Sequence, residues 1–214
     1  MIFSKEEYLS RLAKVKKTMD QKNMDVIILT DPSNMHYLTG YDGWSFYVPQ
    51  GIIVALDMNE PIWFGRRQDS KGAKVTTYLK DKNIIFYPED LIQSPPTHPY
   101  DFVSSFIHEN NWANKNIGVE MDAYYYTAEN HYRLTSTCPN VNFSDVTLLV
   151  NWIRLIKSEN EINYMKEGAK LVEVGMKTAF DNIKPGVKQS YVAGKIQNSL
   201  IGGNDEINIG GEYA

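Results

Sequence analysis

The sequence predicts an α/β fold in which a mixed β-sheet is flanked by helices, followed by a shorter helical segment. Through residue 146, short apolar runs rich in β-branched residues alternate with segments of helical periodicity. Two of these runs, 51–56 and 61–65, are separated only by the turn 57–60 and predict a hairpin, which makes the sheet mixed rather than all parallel. After residue 146 no strand pattern recurs.

The elements of the sheet domain follow in chain order. Ser4 and Glu7 match a capping box, and apolar residues at helical spacing predict a helix over 4–22. A buried strand over 24–30 and a turn over DPSN (31–34) come next. After the hairpin, we expect helices over 69–79, 99–110 and 125–137, and strands over 83–87, 116–121 and 141–146.

A second domain is expected from about residue 151. Ser158 and Glu161 form another capping box at the start of a long amphipathic helix, and a Pro-Gly turn separates it from a further helix. Two such helices with nothing after them to pack on make an incomplete core. We therefore expect one domain over 1–150 and the truncated start of another over 151–214, so that the chain is a piece of a longer protein.

Composition argues against several classes of partner. The net charge of −4 and the pI near 5.6 give no reason to expect nucleic acid or an anionic membrane surface. There is neither a signal-peptide pattern nor an apolar run of about 18 residues, so a cytoplasmic location is expected. The single cysteine, Cys138, permits no intramolecular disulfide and is expected to be a small buried residue.

Catalytic motifs are absent from the sequence. It contains no GxGxxG, GxxxxGK, HExxH or GxSxG, and its four histidines are far apart. Glu120 and Asp122 end a strand with no histidine or basic residue beside them, which favours a structural role. We therefore predict no catalytic residue, no metal ligands and no cofactor within these 214 residues.

The segment 152–196 resembles the entry to the catalytic domain of the creatinase, prolidase and aminopeptidase P family. The family pattern Arg-x-x-Lys-Ser-x-x-Glu-Ile-x-x-Met, the Pro-Gly turn and the Val-Ala pair correspond to Arg154, Lys157, Ser158, Glu161, Ile162, Met165, Pro185, Gly186, Val192 and Ala193. The first domain, with Asp31, Asn34 and the YLTGY turn, resembles the family's N-terminal domain. The resemblance covers essentially the whole chain.

The resemblance implies a ribonuclease H-like N-terminal domain followed by the start of a pita-bread α+β domain. In the family, the catalytic or metal-binding residues lie in the part of the pita-bread domain beyond residue 214. The chain alone is then expected to be inactive, and whether the complete enzyme needs a divalent metal stays open. Segments 31–48, 61–73, 93–99 and 118–129 are most similar to ectoine hydrolases, which open the cyclic amidine of a compatible solute.

The resemblance also implies a homodimer and a set of substrate contacts. In dimeric members, the N-terminal domain reaches over the active site of the neighbouring subunit, which assigns substrate binding to Trp44, Phe46 and Tyr47. Pro49 stands about where creatinase has an arginine, and this departure argues against creatine as substrate. Arg66 could supply a replacement charge, although an arginine at the end of a strand is more often solvated or salt-bridged.

Three functions remain open from the sequence. The first is hydrolytic cleavage of a C–N bond in a small cyclic amidine, as in an ectoine hydrolase. The second is an Xaa-Pro peptidase, which needs metal ligands. The third is a non-catalytic protein-interaction module, for example one that binds histones. The acidic balance permits the third function, but the absence of an acidic tail and the aromatic segment 44–47 argue against it.

Overall fold

The computed structural model describes residues 2–202, so the glycine-rich end of the sequence lies outside the described residues. The chain divides into two compact units, the first ending at Ile156 and the second beginning at Lys157. Residue 150, where the sequence analysis placed the boundary, lies inside a helix of the first unit.

A six-stranded sheet forms the centre of the first unit. Its strands are β1 Val26–Leu29, β2 Gly51–Ala55, β3 Ile62–Arg66, β4 Ile84–Tyr87, β5 Asn116–Val119 and β6 Asn142–Asp145, in the spatial order β4-β3-β2-β1-β5-β6. β2 pairs antiparallel with β1 and β3, and the remaining pairs are parallel. The predicted hairpin and mixed sheet are confirmed.

In its described residues, the first unit has six α-helices: α1 Lys5–Gln21, α2 Pro32–Thr39, α3 Ser70–Thr76, α4 Pro99–Glu109, α5 Ala128–Thr137 and α6 Leu149–Arg154. Successive side chains of a strand point to opposite faces, so β1 contributes to two apolar layers. Ile27 and Leu29 pack in the layer that contains α1, α2 and α6, whereas Val26 and Ile28 pack in the layer that contains α4 and α5. The predicted α/β fold with a helix-flanked sheet is confirmed.

The turn predicted over 31–34 is wrong, because these residues begin helix α2. The Asp31 carboxylate accepts hydrogen bonds from the backbone N–H groups of Ser33 (2.8 Å) and Asn34 (3.1 Å), and Pro32 occupies the first helical position. Asp-Pro suits a helix start as well as a turn, because the first N–H groups of a helix have no partner within it. The helix ends at Gly40, which adopts the left-handed conformation at φ 81°.

Cys138 is buried and 1% exposed, as expected for a small apolar residue. Burial raises the pKa of its thiol, which disfavours the thiolate. The cysteine therefore has the environment of a structural residue.

The second unit is described through Gly202 and contains α7 Glu159–Asn182 and α8 Gln189–Gly202. The capping box at the start of α7 is complete, since Ser158 Oγ accepts from Glu161 N and Glu161 Oε2 accepts from Ser158 N. The predicted stripe on α7 is largely exposed, with Met165 at 62% and Val172 at 58%. Within residues 2–202, no helix is both long and apolar enough to cross a lipid bilayer.

Candidate functional site

Several polar residues that directly follow or precede strands lie together at one edge of the sheet. β1 and β5 are parallel, so Thr30 and Glu120, which directly follow them, lie at the same edge. β2 runs in the opposite direction, which brings Gln50, directly before it, to that edge as well. Arg66 ends β3 at the same edge. In open α/β sheets, this carboxyl edge of the parallel strands is where ligands bind.

Glu120 is a buried structural residue at this edge. It is 4% exposed, and its carboxylate accepts hydrogen bonds from the backbone N–H groups of Thr30 (2.7 Å) and Asp31 (3.0 Å). It also accepts from the Asn34 side chain at 2.6 Å. Burial raises the pKa of Glu120, and these three donors partly offset the rise. The carboxylate therefore fixes the path of the chain from β1 into α2.

Asn34 continues this network to α6. Its Nδ2 donates to Asn151 Oδ1 at 2.9 Å, and its Oδ1 accepts from a guanidinium nitrogen of Arg154 at 2.8 Å. Asn34 is fully buried, so these bonds satisfy polar atoms that water does not reach. The network holds the last helix of the first unit against the sheet edge, and its arginine is the first residue of the family pattern.

The aromatic segment divides near Gly43. Leu38 is fully buried and Tyr41 is 4% exposed, with the Tyr41 hydroxyl donating to Gln50 Oε1 at 3.0 Å. Farther along, the proposed substrate-binding residues Trp44, Phe46 and Tyr47 are 63%, 68% and 62% exposed. Burial of apolar area stabilises folding, so three large aromatic side chains left exposed in one loop indicate a contact surface more than a core.

Phe46 and Tyr47 line a cavity of about 230 Å³, which we call the loop cavity. Its other residues come from the end of β1 and the start of α2, from the rest of the 44–50 loop, from the β4–α4 connection with the start of α4, and from the β5–α5 connection with the start of α5: Thr30, Pro32, Ser45, Val48, Pro49, Gln50, Ile92, Gln93, His98, Pro99, Tyr124, Tyr125, Thr127 and Asn130. No aspartate, glutamate, lysine or arginine is among these lining residues.

Trp44 lines a neighbouring, wider cleft of about 760 Å³, which we call the Trp44 cleft. The cleft shares Pro32 and Tyr125 with the loop cavity. Unlike the cavity, it has charged residues in its walls, among them Asp31 and Arg154. The side chains of Trp44, Phe46 and Tyr47 therefore line two adjoining depressions, the Trp44 cleft and the loop cavity, at one edge of the sheet.

Arg66 is held by an ion pair. Its Nε donates to Glu89 Oε2 at 2.8 Å, and this hydrogen bond is the main reason that the pKa of the guanidinium is raised. The arginine is thus in the salt-bridged state that is common for a strand end, and its assignment to substrate binding stays a prediction.

His98 is a residue of the loop cavity that the sequence analysis did not select. It is the N-cap of α4, where its ring Nδ1 accepts a hydrogen bond from the backbone N–H of Tyr100 at 3.1 Å. The backbone N–H of His98 donates to Asp101 Oδ2 at 2.8 Å. An Nδ1 that accepts a hydrogen bond carries no proton, so the proton of the neutral ring is on Nε2. Burial, followed by the charge of Arg133, lowers the pKa of His98.

Tyr124, Tyr125 and Asn130 were missed as well. The signal for the two tyrosines was the run of three tyrosines over 124–126, shortly after the strand predicted over 116–121, whereas nothing in the sequence marked Asn130. That signal alone does not show that the β5–α5 connection faces the 44–50 loop, because the two segments are about 80 residues apart and meet only through the pairing of β1 with β5.

The described residues do not include a metal centre. Within residues 2–202, no group of three or more histidine, cysteine, aspartate or glutamate side chains is placed to hold a metal ion.

The fold and the site define an α/β domain with an exposed aromatic loop over a small cavity at the carboxyl edge of its sheet. The family model described as Creatinase/Prolidase N-terminal domain matches residues 11–156. The chain therefore belongs to the creatinase/prolidase family.

Two curated relatives match almost the entire chain. An uncharacterized hydrolase/peptidase of Sinorhizobium fredii is 45% identical over 209 residues, which are 98% of this chain and 53% of the relative. The ectoine hydrolase of Halomonas elongata is 40% identical over 202 residues, which are 94% of this chain and 50% of that enzyme. The chain spans about half the length of these relatives.

A solved structure supports the fold. The Xaa-Pro dipeptidase from Bacillus anthracis matches 90% of this chain, and 48% of its own, with a TM-score of 0.72 and 17% sequence identity. At this identity, the likeness concerns the fold and not the substrate.

Proposed function

We propose that the whole protein is a hydrolase of the ectoine hydrolase type, which cleaves a C–N bond in a small cyclic amidine. The observation that carries this proposal is the 40% identity to an ectoine hydrolase over 94% of the chain. The exposed loop is compatible with such a substrate, because a delocalised amidinium stacks favourably on the faces of tryptophan and tyrosine rings.

Within this proposal, the first unit contacts the substrate and covers the active site, whereas the catalytic residues belong to sequence that this chain does not contain. We expect the first unit to take part in a homodimer and to place Trp44, Phe46 and Tyr47 over the active site of the neighbouring subunit. Arg66 has a secondary role, because it meets a substrate carboxylate only by sharing its guanidinium with Glu89. The 214-residue chain alone is then inactive, and a cytoplasmic location suits the substrate.

Assays of the full-length gene product that contains this chain test the substrate. We expect ring opening of ectoine and no hydrolysis of creatine or Ala-Pro, measured by chromatography of the products. Cleavage of Ala-Pro that stops when EDTA removes divalent ions would instead establish the Xaa-Pro peptidase. High-affinity histone binding without hydrolysis of any of the three compounds would establish the interaction module.

Loop variants of the full-length protein test the site. Tyr47→Ala and Trp44→Ala should lower kcat/KM for ectoine by roughly tenfold or more, because each removes a stacking surface. The melting temperature should stay nearly unchanged, because both side chains are more than 60% exposed.

Tyr132→Ala is the matched control for these variants. Tyr132 lies on α5 and is 62% exposed, as Tyr47 is. The control should keep full activity. A large loss of thermal stability in Tyr47→Ala would show that the loop belongs to the core. A protein that is monomeric in light-scattering measurements and fully active would contradict a role of the loop across a dimer.

A further inference from the structure

The 44–50 loop combines an exposed tip with buried residues directly after it. The three aromatic side chains of the tip are each more than 60% exposed, whereas Val48 and Gln50 are 5% and 6% exposed. Within the loop, Ser45 Oγ accepts a hydrogen bond from the backbone N–H of Val48 at 3.1 Å. The exposed aromatic side chains therefore stand on a backbone that is anchored in the first unit.

Tyr41 contacts the chain on both sides of this tip. Its ring packs against the buried ring of Trp63, with 5.4 Å between the ring centroids, and its hydroxyl donates to Gln50 Oε1 at 3.0 Å. On the other side of the tip, Gly43 approaches Tyr41 so closely that a Cβ at this glycine would lie 2.6 Å from the Tyr41 hydroxyl oxygen. One buried side chain thus joins the residues that enter and leave the tip.

Tyr87 holds the end of the same loop from β4. It is the last residue of that strand and fully buried, and its ring packs edge-on against Phe102 of α4. Its hydroxyl donates to the backbone carbonyl oxygen of Pro49 at 2.5 Å. Tyr87 lines neither the loop cavity nor the Trp44 cleft, so it acts on a ligand in either depression only through the loop.

Both tyrosine hydroxyls are suited to this task. Burial raises the pKa of Tyr41 and that of Tyr87, so both hydroxyls stay protonated near neutral pH and can donate. A loop that is already held in its bound conformation loses little conformational entropy when a ligand binds, whereas a flexible loop has to be ordered at that moment.

We propose that Tyr41 and Tyr87 are positioning residues, which hold the 44–50 loop in the conformation in which it meets the substrate. Their hydrogen bonds to Gln50 and Pro49 fix the backbone after the tip, so that the three aromatic side chains keep their places. The effect on the substrate rests on the proposed function. The fixed conformation of the loop does not.

Limited proteolysis of the 214-residue chain with chymotrypsin tests the fixed conformation. This protease cleaves after aromatic residues, but a chain segment has to open locally before it fits the protease. Cleavage after Phe46 and Tyr47, followed by mass spectrometry of the fragments, should be about tenfold faster in Tyr87→Phe than in the natural chain. The reason is that local opening of the loop no longer breaks the hydrogen bond to Pro49.

Tyr126→Phe is the matched control. Tyr126 is 6% exposed, and its hydroxyl shares a hydrogen bond of 3.0 Å with His131 Nδ1, so this variant also loses one hydrogen bond of a buried tyrosine. Global unfolding breaks the hydrogen bonds of both tyrosines, whereas local opening of the 44–50 loop breaks only that of Tyr87. The control should therefore lower the melting temperature about as much as Tyr87→Phe does, and cleavage of the loop should keep its natural rate.

Kinetics of the full-length protein test the effect on the substrate. The double variant Tyr41→Phe/Tyr87→Phe should raise KM for ectoine by about threefold or more and leave kcat nearly unchanged, because fewer molecules have the loop in its binding conformation. Tyr126→Phe should change neither constant.

Two kinds of result would overturn the proposal. If the loop of Tyr87→Phe is cleaved no faster than that of the natural chain, or if Tyr126→Phe accelerates its cleavage equally, Tyr87 does not hold the loop. If the double variant is cleaved faster in the loop but keeps its KM, the fixed conformation does not serve substrate binding. Failure of the full-length protein to hydrolyse ectoine would contradict the proposed function instead, and the proteolysis would still decide whether Tyr87 holds the loop.

Discussion

Thr30 and Thr39 are buried threonines at the two ends of the same short stretch of chain, and their hydroxyls are in opposite situations. Thr39 Oγ1 donates to Met35 O at 2.7 Å and accepts from Tyr41 N at 3.1 Å. Thr30 Oγ1 has no hydrogen-bond partner among the described residues. The Thr39 hydroxyl therefore holds the end of α2, whereas the Thr30 hydroxyl makes no hydrogen bond among the described residues.

This difference predicts different responses to the same substitution. Thr39→Val should lower the free energy of unfolding by roughly 1–3 kcal/mol, because it leaves the Tyr41 N–H without its acceptor. Thr30→Val should change it by less than about 1 kcal/mol, because no protein hydrogen bond is lost. Urea unfolding of both variants measures the two values. A larger loss for Thr30→Val than for Thr39→Val would show that the Thr30 hydroxyl has a structural role.

At the scale of the element, the N-termini of α2 and α4 show how much the start of a helix depends on one side chain. Asp31 caps α2 and His98 caps α4, each by accepting hydrogen bonds from N–H groups of the first turn. The sequence predicted α4 correctly to within a residue but missed α2. Helix α2 has eight residues, too few to show several repeats of helical periodicity, and Asp-Pro was assigned to a turn.

The His98 cap predicts a dependence of stability on pH. The folded pKa of His98 lies below its ordinary value of 6.5, so the unfolded chain binds more protons between the two pKa values. Stability therefore rises with pH across this window and is lost as pH falls below about 6.5. Protonation of Nδ1 also removes the acceptor that caps α4.

Thermal melts of the natural chain and His98→Asn from pH 7.5 to about 5 measure this dependence. Asparagine caps a helix well and does not titrate, so the variant should lose less stability over this range. An equal loss in both proteins would show that other groups cause the dependence.

At the scale of the whole molecule, the two units differ in how they bury apolar side chains. The first unit has an apolar layer on each side of its sheet, and every residue of both layers lies before residue 157. In the second unit, as far as it is described, Gly175 of α7 is buried and α8 has no buried residue. The first unit therefore has a core of its own, and the described part of the second has almost none.

This difference predicts how the units behave when separated. A chain ending at Ile156 should fold and unfold cooperatively in urea, because its core needs no residue of the second unit. Residues 157–214 alone should show little stable helix by circular dichroism, because helices without a packed face are marginal in water. An unfolded 1–156 chain would mean that the first unit requires the second.

The sequence by itself determined the class of fold, the family and the position of the aromatic loop. It could do so because period-2 and period-3.6 patterns, capping boxes and the run from Arg154 to Met165 are local features.

Only the tertiary structure decided what these residues face. The pairing of β1 with β2 and β5 brings Tyr124 and the 44–50 loop to one cavity, while the N-cap of α4 sets the proton of His98 on Nε2. The tertiary structure also placed Glu120 against the start of α2 and Arg66 against Glu89. Such contacts join residues tens of positions apart, so they depend on strand order and register rather than on any local pattern.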